Sequence, residues 1–512
     1  MAKASKTRAS KQEYVSPSQL ILDGFETPFT NQLDAKNRWV QLAHRIPWDS
    51  IVNVYEKQMH NEVIGASNIN ARVVIGSIVI KHMCGFSDEE TILQIQENMY
   101  MQYFIGYSSF SNEAVFDSSL FVEIRKRLGA EQINAINNKI VELSLAAKQK
   151  AEDKNNNDKN PPAKNAEEKR ELPAQDKAGN ENEINKTHDG RMLVDATACP
   201  QDIAYPTDLN LLNDAREKSE ELIDILYLHR LHGKNKPRTY REEARKEYLN
   251  TAMKKNKSRK EIRRAIKKQL NYLSRNFNHI ENLHDAYKGE TPLNEKQQVY
   301  LAVIKELYVQ QTKMYKEKTH SVDDRIVSIH QPYVRPIVRG KQKAKVEFGA
   351  KIQVSLVAGY AFLDVLSWDA FNEGTKLIPA IENYKTRTGY FPKEVLADKI
   401  YCNRENRMKL KEMGIRLLAK PLGRPPAVII EHVRPGERNP IEGKFGQGKS
   451  AYGLGRIKAR LRNTSESWIA SIIMVLNLVK LAGQVPFCLL RKLLQKLFNF
   501  NEIKIERGLL FQ

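Results

Sequence analysis

The sequence predicts an α/β protein: a mixed sheet flanked by helices, interrupted by a basic helical insertion and preceded by an all-α N-terminal domain. Three observations predict it. Apolar residues recur every three or four positions from Asn37 to Leu145 and again from Asn213 to about Lys318. From Val322 the repeat shortens to two, in segments rich in Val, Ile, Phe and Tyr. The order strand, strand, strand, helix, strand, helix, strand, helix then follows, which is the pattern of an α/β domain with a mixed sheet.

Residues 1–36 are basic and polar with no apolar stretch behind them, so they do not read as a secretory signal. In 37–147 the segments PWDSIVNVYEKQM and NINARVVIGSIVIKHM are helical by period, although Val73–Ile80 also fits a buried strand. Ser87 with Glu90 three residues on spells a capping box, and Ser111 reads as the next helix start. Residues 148–190 are almost free of apolar side chains and read as a flexible linker, because they cannot offset their own ordering entropy. The catalytic-domain candidate is 191–484, with MLVDATA as a strand, DIAYPTD as a short extended piece and 213–320 as the insertion. RIVSIHQPYVRPIV, KVEFGAKIQVSLVAGYAFLDVLSWD, EVLADKIY and IRLLAKP read as strands, with GTKLIPAIENYKTRTG and NRENRMKLKEMG as helices between them. Residues 485–512 hold an amphipathic basic stretch.

Charge narrows the partner. The 512 residues carry 82 Lys or Arg against 61 Asp or Glu, a net +21. Residues 230–275 alone hold 17 Lys or Arg against 4 Glu. Such a balance points first to nucleic acid, and Lys254, Lys255, Arg259, Arg263, Arg264 and Lys267 are the expected contacts. The four cysteines stand far apart with no Cys-x-x-Cys, which excludes a disulfide scaffold and a thiolate zinc knuckle and fits a reducing cytoplasm. No segment reaches the ~18–20 continuous apolar residues of a membrane span; SWIASIIMVLNLVKLAG comes nearest and is broken by Asn477 and Lys480. Trp39 and Trp48 read as core, and His330 as structural.

Three acids stand out. Asp195 ends the strand in LVDATA, Asp398 ends the one in VLADKIY, and Glu442 opens a helix in RNPIEGKFGQGKSAYGL. Loops that meet ligands start at strand ends. Carboxylates suit Mg²⁺, and two such ions can drive phosphodiester chemistry. Plainer roles stay open: Asp195 and Asp398 as turn residues, and Glu442 as the third position of a cap built on Asn439 and Pro440. The glycines and bases around Glu442, among them Lys444 and Arg456, suit close approach of a phosphate backbone or a plain surface loop.

The segments LVDATACPQDIAYPTD, VLADKIYCN and RNPIEGKFGQGKSAYGLGRI, in that order, resemble the DDE transposases of bacterial insertion sequences, in the superfamily grouped around insertion sequences four and five. NRWVQLAHRIPWDSIVNVYEKQM and the segment after it resemble the helical N-terminal domain of the same proteins. The resemblance implies an RNase H-like core, with Asp195, Asp398 and Glu442 as catalytic and metal-holding acids. It implies two Mg²⁺ ions, with Mn²⁺ as an alternative. Arg438 and Lys449 become DNA contacts in the pattern R-x₃-E-x₆-K. The family's Tyr three residues before the Arg is Pro435 here, so no tyrosine is carried over. The implied activity is cleavage at terminal inverted repeats and joining of the 3′-hydroxyl to target DNA, by a homodimer on the bacterial nucleoid with no membrane partner. A nuclease on the same fold that cuts without joining, and a non-catalytic DNA-binding protein, are the alternatives.

Overall fold

A computed structural model describes residues 33–58, 69–157, 187–288, 291–338, 346–420 and 436–483. The expected C-terminal amphipathic stretch, Pro435, and most of the N-terminal tail and linker lie outside the described residues.

The N-terminal part is helical: α1 (Arg38–Arg45), α2 (Trp48–Gln58), α3 (Ala71–Cys84), α4 (Asp88–Glu97), α5 (Met99–Phe104), α6 (Leu120–Arg127) and α7 (Ala130–Asn157). Every residue of α3 is buried, so Val73–Ile80 is a core helix and not a strand. Its apolar run has no polar face because no face of it meets water. Ser87 caps α4 by accepting from the Glu90 N–H at 3.0 Å. Ser111 caps nothing: it sits in a loop accepting from the Glu113 N–H, and the helix starts nine residues later at Leu120. Helix α7 runs on to Asn157, past the expected linker boundary at 148. A 28-residue helix anchored at its apolar start by Ile133, Ile136 and Ile140 can carry polar turns beyond the core.

Strand β1 (Arg191–Pro200) leads into the insertion, which holds α8 (Asp208–Leu226), α9 (His229–His232), α10 (Arg241–Ala252), α11 (Arg259–Asp285) and α12 (Glu295–Glu317). DIAYPTD is loop, with Thr207 capping α8. The insertion has its own core, in which Leu212 and Ile223 meet Leu273, Phe277, Ile304 and Leu307. Ser258 and Glu261 form a reciprocal capping box at the start of α11.

The chain then gives β2 (Arg335–Val338), β3 (Val346–Val357), β4 (Tyr360–Ser367), α13 (Leu377–Thr388), β5 (Glu394–Leu396), α14 (Arg404–Glu412), β6 (Arg416–Leu418), α15 (Asn439–Ala451) and α16 (Arg462–Ala482). Most of RIVSIHQPYVRPIV is therefore loop, and His330 there pairs with the Tyr300 hydroxyl at 3.0 Å. The hairpin β3–β4 turns on Ala358 and Gly359, both at positive φ, the geometry of a tight two-residue hairpin loop. Strand order is β4-β3-β1-β5-β6, with β2 paired to the start of β3. β3 runs antiparallel to β1 and β4, whereas β5 and β6 run parallel to β1.

One apolar cluster joins α1–α7, the face of the sheet and α16. Trp39 and Trp48 belong to it. Helix α16 is long and apolar enough to cross a membrane, but 78% of its apolar window is buried inside the protein. Asn477, which breaks that window, is wholly buried. Its Oδ1 accepts from the Ala361 N–H at 2.7 Å, and its Nδ2 donates to the Ala361 carbonyl (2.7 Å) and to Asn137 Oδ1 (2.8 Å). One amide thus pins α16 to β4 and α7. Asn477→Leu should leave the Ala361 N–H and Asn137 Oδ1 without this partner, while the Ala361 carbonyl keeps the Asn137 amide, and lower stability by about 2–4 kcal/mol, read as a reduced urea midpoint. An unchanged midpoint would show that water replaces the amide.

Candidate functional site

Register builds the site. β1 and β5 pair in parallel as far as Leu193 and Leu396, where β5 ends. Two residues further along each chain stand Asp195 and Asp398. Asp195 does not end its strand, contrary to expectation: β1 continues to Pro200 because β3 pairs with it throughout, with Val354 opposite Asp195. What ends there is the neighbour. Asp398 leaves the sheet, accepts from the Lys399 N–H at 2.7 Å and caps the 3₁₀ turn Lys399–Tyr401.

A single guanidinium lies between the two carboxylates. Arg438 Nη2 donates to Asp195 Oδ2 at 3.0 Å, and its Nη1 lies 3.4 Å from Asp398 Oδ1. Asp195 Oδ1 also accepts from the Ala196 N–H at 2.8 Å. Burial pushes the Asp195 carboxyl up to about 6, and Arg438 and the Ala196 N–H pull against that rise without cancelling it. Glu373 and Asp398 add like charge and push the same way as burial.

Glu442 stands apart. Helix α15 starts at Asn439, with Arg438 as a cap that makes no side-chain bond, so Glu442 falls one place past the position a capping box requires. It is exposed, one turn beyond Arg438, and its N–H donates to the Arg438 carbonyl. Among the described residues no three Asp, Glu, His or Cys side chains are gathered to hold a metal ion. Asp195 and Asp398 do share one cation, and two carboxylates completed by water and phosphate oxygens are the donor set Mg²⁺ accepts. The pair therefore fits one hard divalent ion where the guanidinium now sits.

The basic candidates divide. Lys444 turns inward, its Nζ donating to the Leu476 carbonyl at 3.2 Å. Burial lowers it to about 8, and Lys480 pushes the same way. Its neighbour Phe445 faces the core, and α15 packs there against α16, so the lysine is half-buried. Arg456 is exposed but paired to Asp202 at 2.8 Å. Lys449 lies seven residues after Glu442 on the same face of α15. In the insertion Lys255, Arg259, Arg264 and Lys267 are exposed, Lys254 pairs with Glu261, and Arg263 stacks over the Tyr315 ring at 4.1 Å. The insertion's cations are also less bare than its own sequence suggests, because Asp224 of α8 pairs with both Lys236 and Arg241.

Sequence reasoning missed Glu373. It follows Asn372, the cap of the 3₁₀ turn Glu373–Lys376, and its carboxylate is held by Lys351 of β3 at 2.9 Å. A Cβ on Gly374 would meet the Ile400 carbonyl and the Asn403 amide at 2.9 Å, so this turn sits hard against the one that follows Asp398. Gln353 bridges the two, donating to the Lys376 carbonyl at 2.9 Å and accepting from the Tyr401 hydroxyl at 3.4 Å. The only sequence hint was an acid directly after a capping Asn at the close of a strand segment.

Comparison with known proteins fits this geometry. Residues 395–479 match the family model described as Transposase DDE domain, which spans Asp398, Arg438, Glu442 and Lys449. Residues 28–127 match Transposase domain (DUF772), which spans α1–α6. Two separate segments of the chain thus each match a transposase domain. The chain is similar to the protein named "Uncharacterized protein ORF8 in nfe locus" of Rhizobium meliloti, 31% identical over 121 residues, or 23% of this chain and 58% of that one. The chain thus spans little more than half of that curated relative. No solved structure matches. Asp195 lies outside both matched segments and joins the site through register alone.

The raised Asp195 carboxyl carries a linkage consequence. A carboxyl near 6 when folded and 3.8 when unfolded favours folding while protonated; that advantage is full below about pH 4 and is lost as pH rises through 6. Asp195→Asn, which stays uncharged, should therefore be more stable than the parent by about 1–3 kcal/mol at pH 8 and nearly equal to it at about pH 3. Urea titrations at both pH values check this, and equal differences at both would refute it.

Proposed function

We propose that this protein is a DDE transposase that binds the terminal inverted repeats of its insertion sequence, cleaves the transposon ends and joins the resulting 3′-hydroxyl to target DNA. The observation that carries the reading is Asp195 and Asp398 meeting at one cation, from adjacent parallel strands, under a helix that holds Arg438, Glu442 and Lys449. The strand order, with one antiparallel strand beside β1 and two parallel strands on its other side, supports an RNase H-like core.

Asp195 and Asp398 would hold a divalent ion, Mg²⁺ or Mn²⁺, which when bound polarises the phosphodiester and makes water a competent nucleophile. Arg438 moves from the carboxylates to a phosphate oxygen as DNA arrives. Glu442, one turn away, would be the further carboxylate able to hold such an ion. Lys449 on the same face pairs with the phosphate backbone. No side-chain nucleophile is required, so DNA is never linked to the protein. Assembly as a homodimer would place one such site at each transposon end.

The insertion supplies grip. Its exposed bases on α11 and the loop before it, Lys255, Arg259, Arg264 and Lys267, would track a duplex backbone through charge. A clamp that neutralises six phosphates gives a log–log salt slope of about −5. Replacing these four by Ala should flatten the slope by about 3; an unchanged slope would remove them from the interface.

The catalytic reading is tested on terminal-repeat DNA with Mg²⁺. Asp195→Asn, Asp398→Asn and Glu442→Gln should each lower cleavage by at least about 10³-fold while retaining DNA binding. Near-parental cleavage by any one of them takes that residue out of the site. Cleavage without joining in the parent would leave a nuclease.

A further inference from the structure

The insertion contains a cleft that shares Arg264 with the grip described above and is otherwise lined by residues the grip does not use. It lies between the end of α10, the loop after it and the first half of α11, and measures about 310 Å³. Four cations, Lys254, Lys257, Arg264 and Lys268, line it against two acids, Glu247 and Glu261. The acids are already engaged: Glu247 with Lys268 and the Tyr272 hydroxyl, Glu261 with Lys254 and the capping Ser258. Among the described residues Lys257 reaches only the Ala252 carbonyl, at 2.7 Å, and Arg264 is exposed. The positive excess is thus concentrated on Lys257 and Arg264.

Gln269 lines the same cleft and is 1% exposed. Its Nε2 donates to the Ala244 carbonyl at 3.2 Å, which fixes the amide orientation. Its Oε1 is buried with no hydrogen-bond partner. A buried acceptor left without a donor costs about 1–3 kcal/mol, so a ligand that brings an N–H or O–H there gains what folding left unmet. A bare inorganic anion answers the cations and leaves this oxygen unmet.

We propose that this cleft binds a nucleoside monophosphate unit, its phosphate on Lys257 and Arg264 and a donor group of its base on Gln269 Oε1. The volume is at the small end of ligand pockets and suits one such unit. The unit could come from an unpaired position in DNA or from a free nucleotide, and the two sources share this chemistry. If it comes from DNA, the assignment rests on the DNA-binding reading above; if free, it stands without it.

The test uses the full-length protein and four probes: 5′-dAMP, deoxyadenosine, inorganic phosphate, and a duplex with or without one unpaired adenosine. Calorimetry should show 5′-dAMP bound at least about tenfold more tightly than phosphate or deoxyadenosine, because each of these lacks one half of the recognition. Gln269→Leu should erase the advantage over phosphate, and Lys257→Ala with Arg264→Ala the advantage over deoxyadenosine. Lys255→Ala with Arg259→Ala removes equal charge outside the cleft and should leave both ratios intact. A DNA source predicts that the unpaired adenosine strengthens duplex binding and that the cleft variants abolish that gain; a free source predicts the 5′-dAMP results without it. Equal affinity for 5′-dAMP and phosphate, or ratios that the two double variants alter alike, would overturn the proposal. Failure of the parent to bind fully paired duplex would defeat the clamp and leave the 5′-dAMP result to stand or fall alone.

Discussion

The constraint on which this molecule turns is a conflict of charge. Two carboxylates from neighbouring strands face each other where one of the strands stops, and one of them is mostly buried. Burial in low dielectric disfavours the ionised form, and a like charge across the gap makes it worse. Arg438 is the protein's answer. It arrives 243 residues further along the chain than Asp195, so the start of α15 must be in place before the Asp195 charge is matched.

Much of this was legible beforehand, and what was not has physical reasons. The helix and strand periods located the sheet, the insertion and the order of elements, because half-buried faces leave a repeat in the sequence. Asp195 was misplaced by one feature: a strand looks finished at an acid when only its neighbour finishes there. α3 was ambiguous because a helix buried on every side loses the period that marks helices. Ser111 failed as a cap because the spelling S-x-E recurs in loops, where serine serves its own turn. Lys444 reads as surface because its glycine neighbours suggest one, and a Cβ on Gly443 or Gly446 would indeed meet nothing; the lysine turns inward all the same because Leu476 of α16 offers it a carbonyl. Glu373 was invisible because nothing local distinguishes an acid that answers a lysine on another strand.

Helix α16 decides how the parts belong together. Its apolar surface serves the N-terminal helices and the sheet at once, and its single buried amide holds β4 and α7. Trp468 near its start meets Lys81, Arg125 and His82, while Asp88 bridges Lys81 and Arg125 at 2.8 Å each. Buried cations of this kind are costly unless each finds an anion or a π face, and here they find both. The helices that match one transposase domain and the strands that match the other are therefore not beads on a string; they share an interior.

The insertion behaves otherwise. Its leucines and isoleucines close on one another from Leu211 to Ile329 and form a cluster separate from the one beneath the sheet. A chain whose insertion has an interior of its own need not melt in one step. Calorimetric traces of such proteins split when one cooperative unit loosens before the other, and amide exchange then reports two plateaus in place of one. An element that can open and close on its own free-energy scale, while the sheet around it stays intact, is free to change length and composition between relatives without the strands registering the difference.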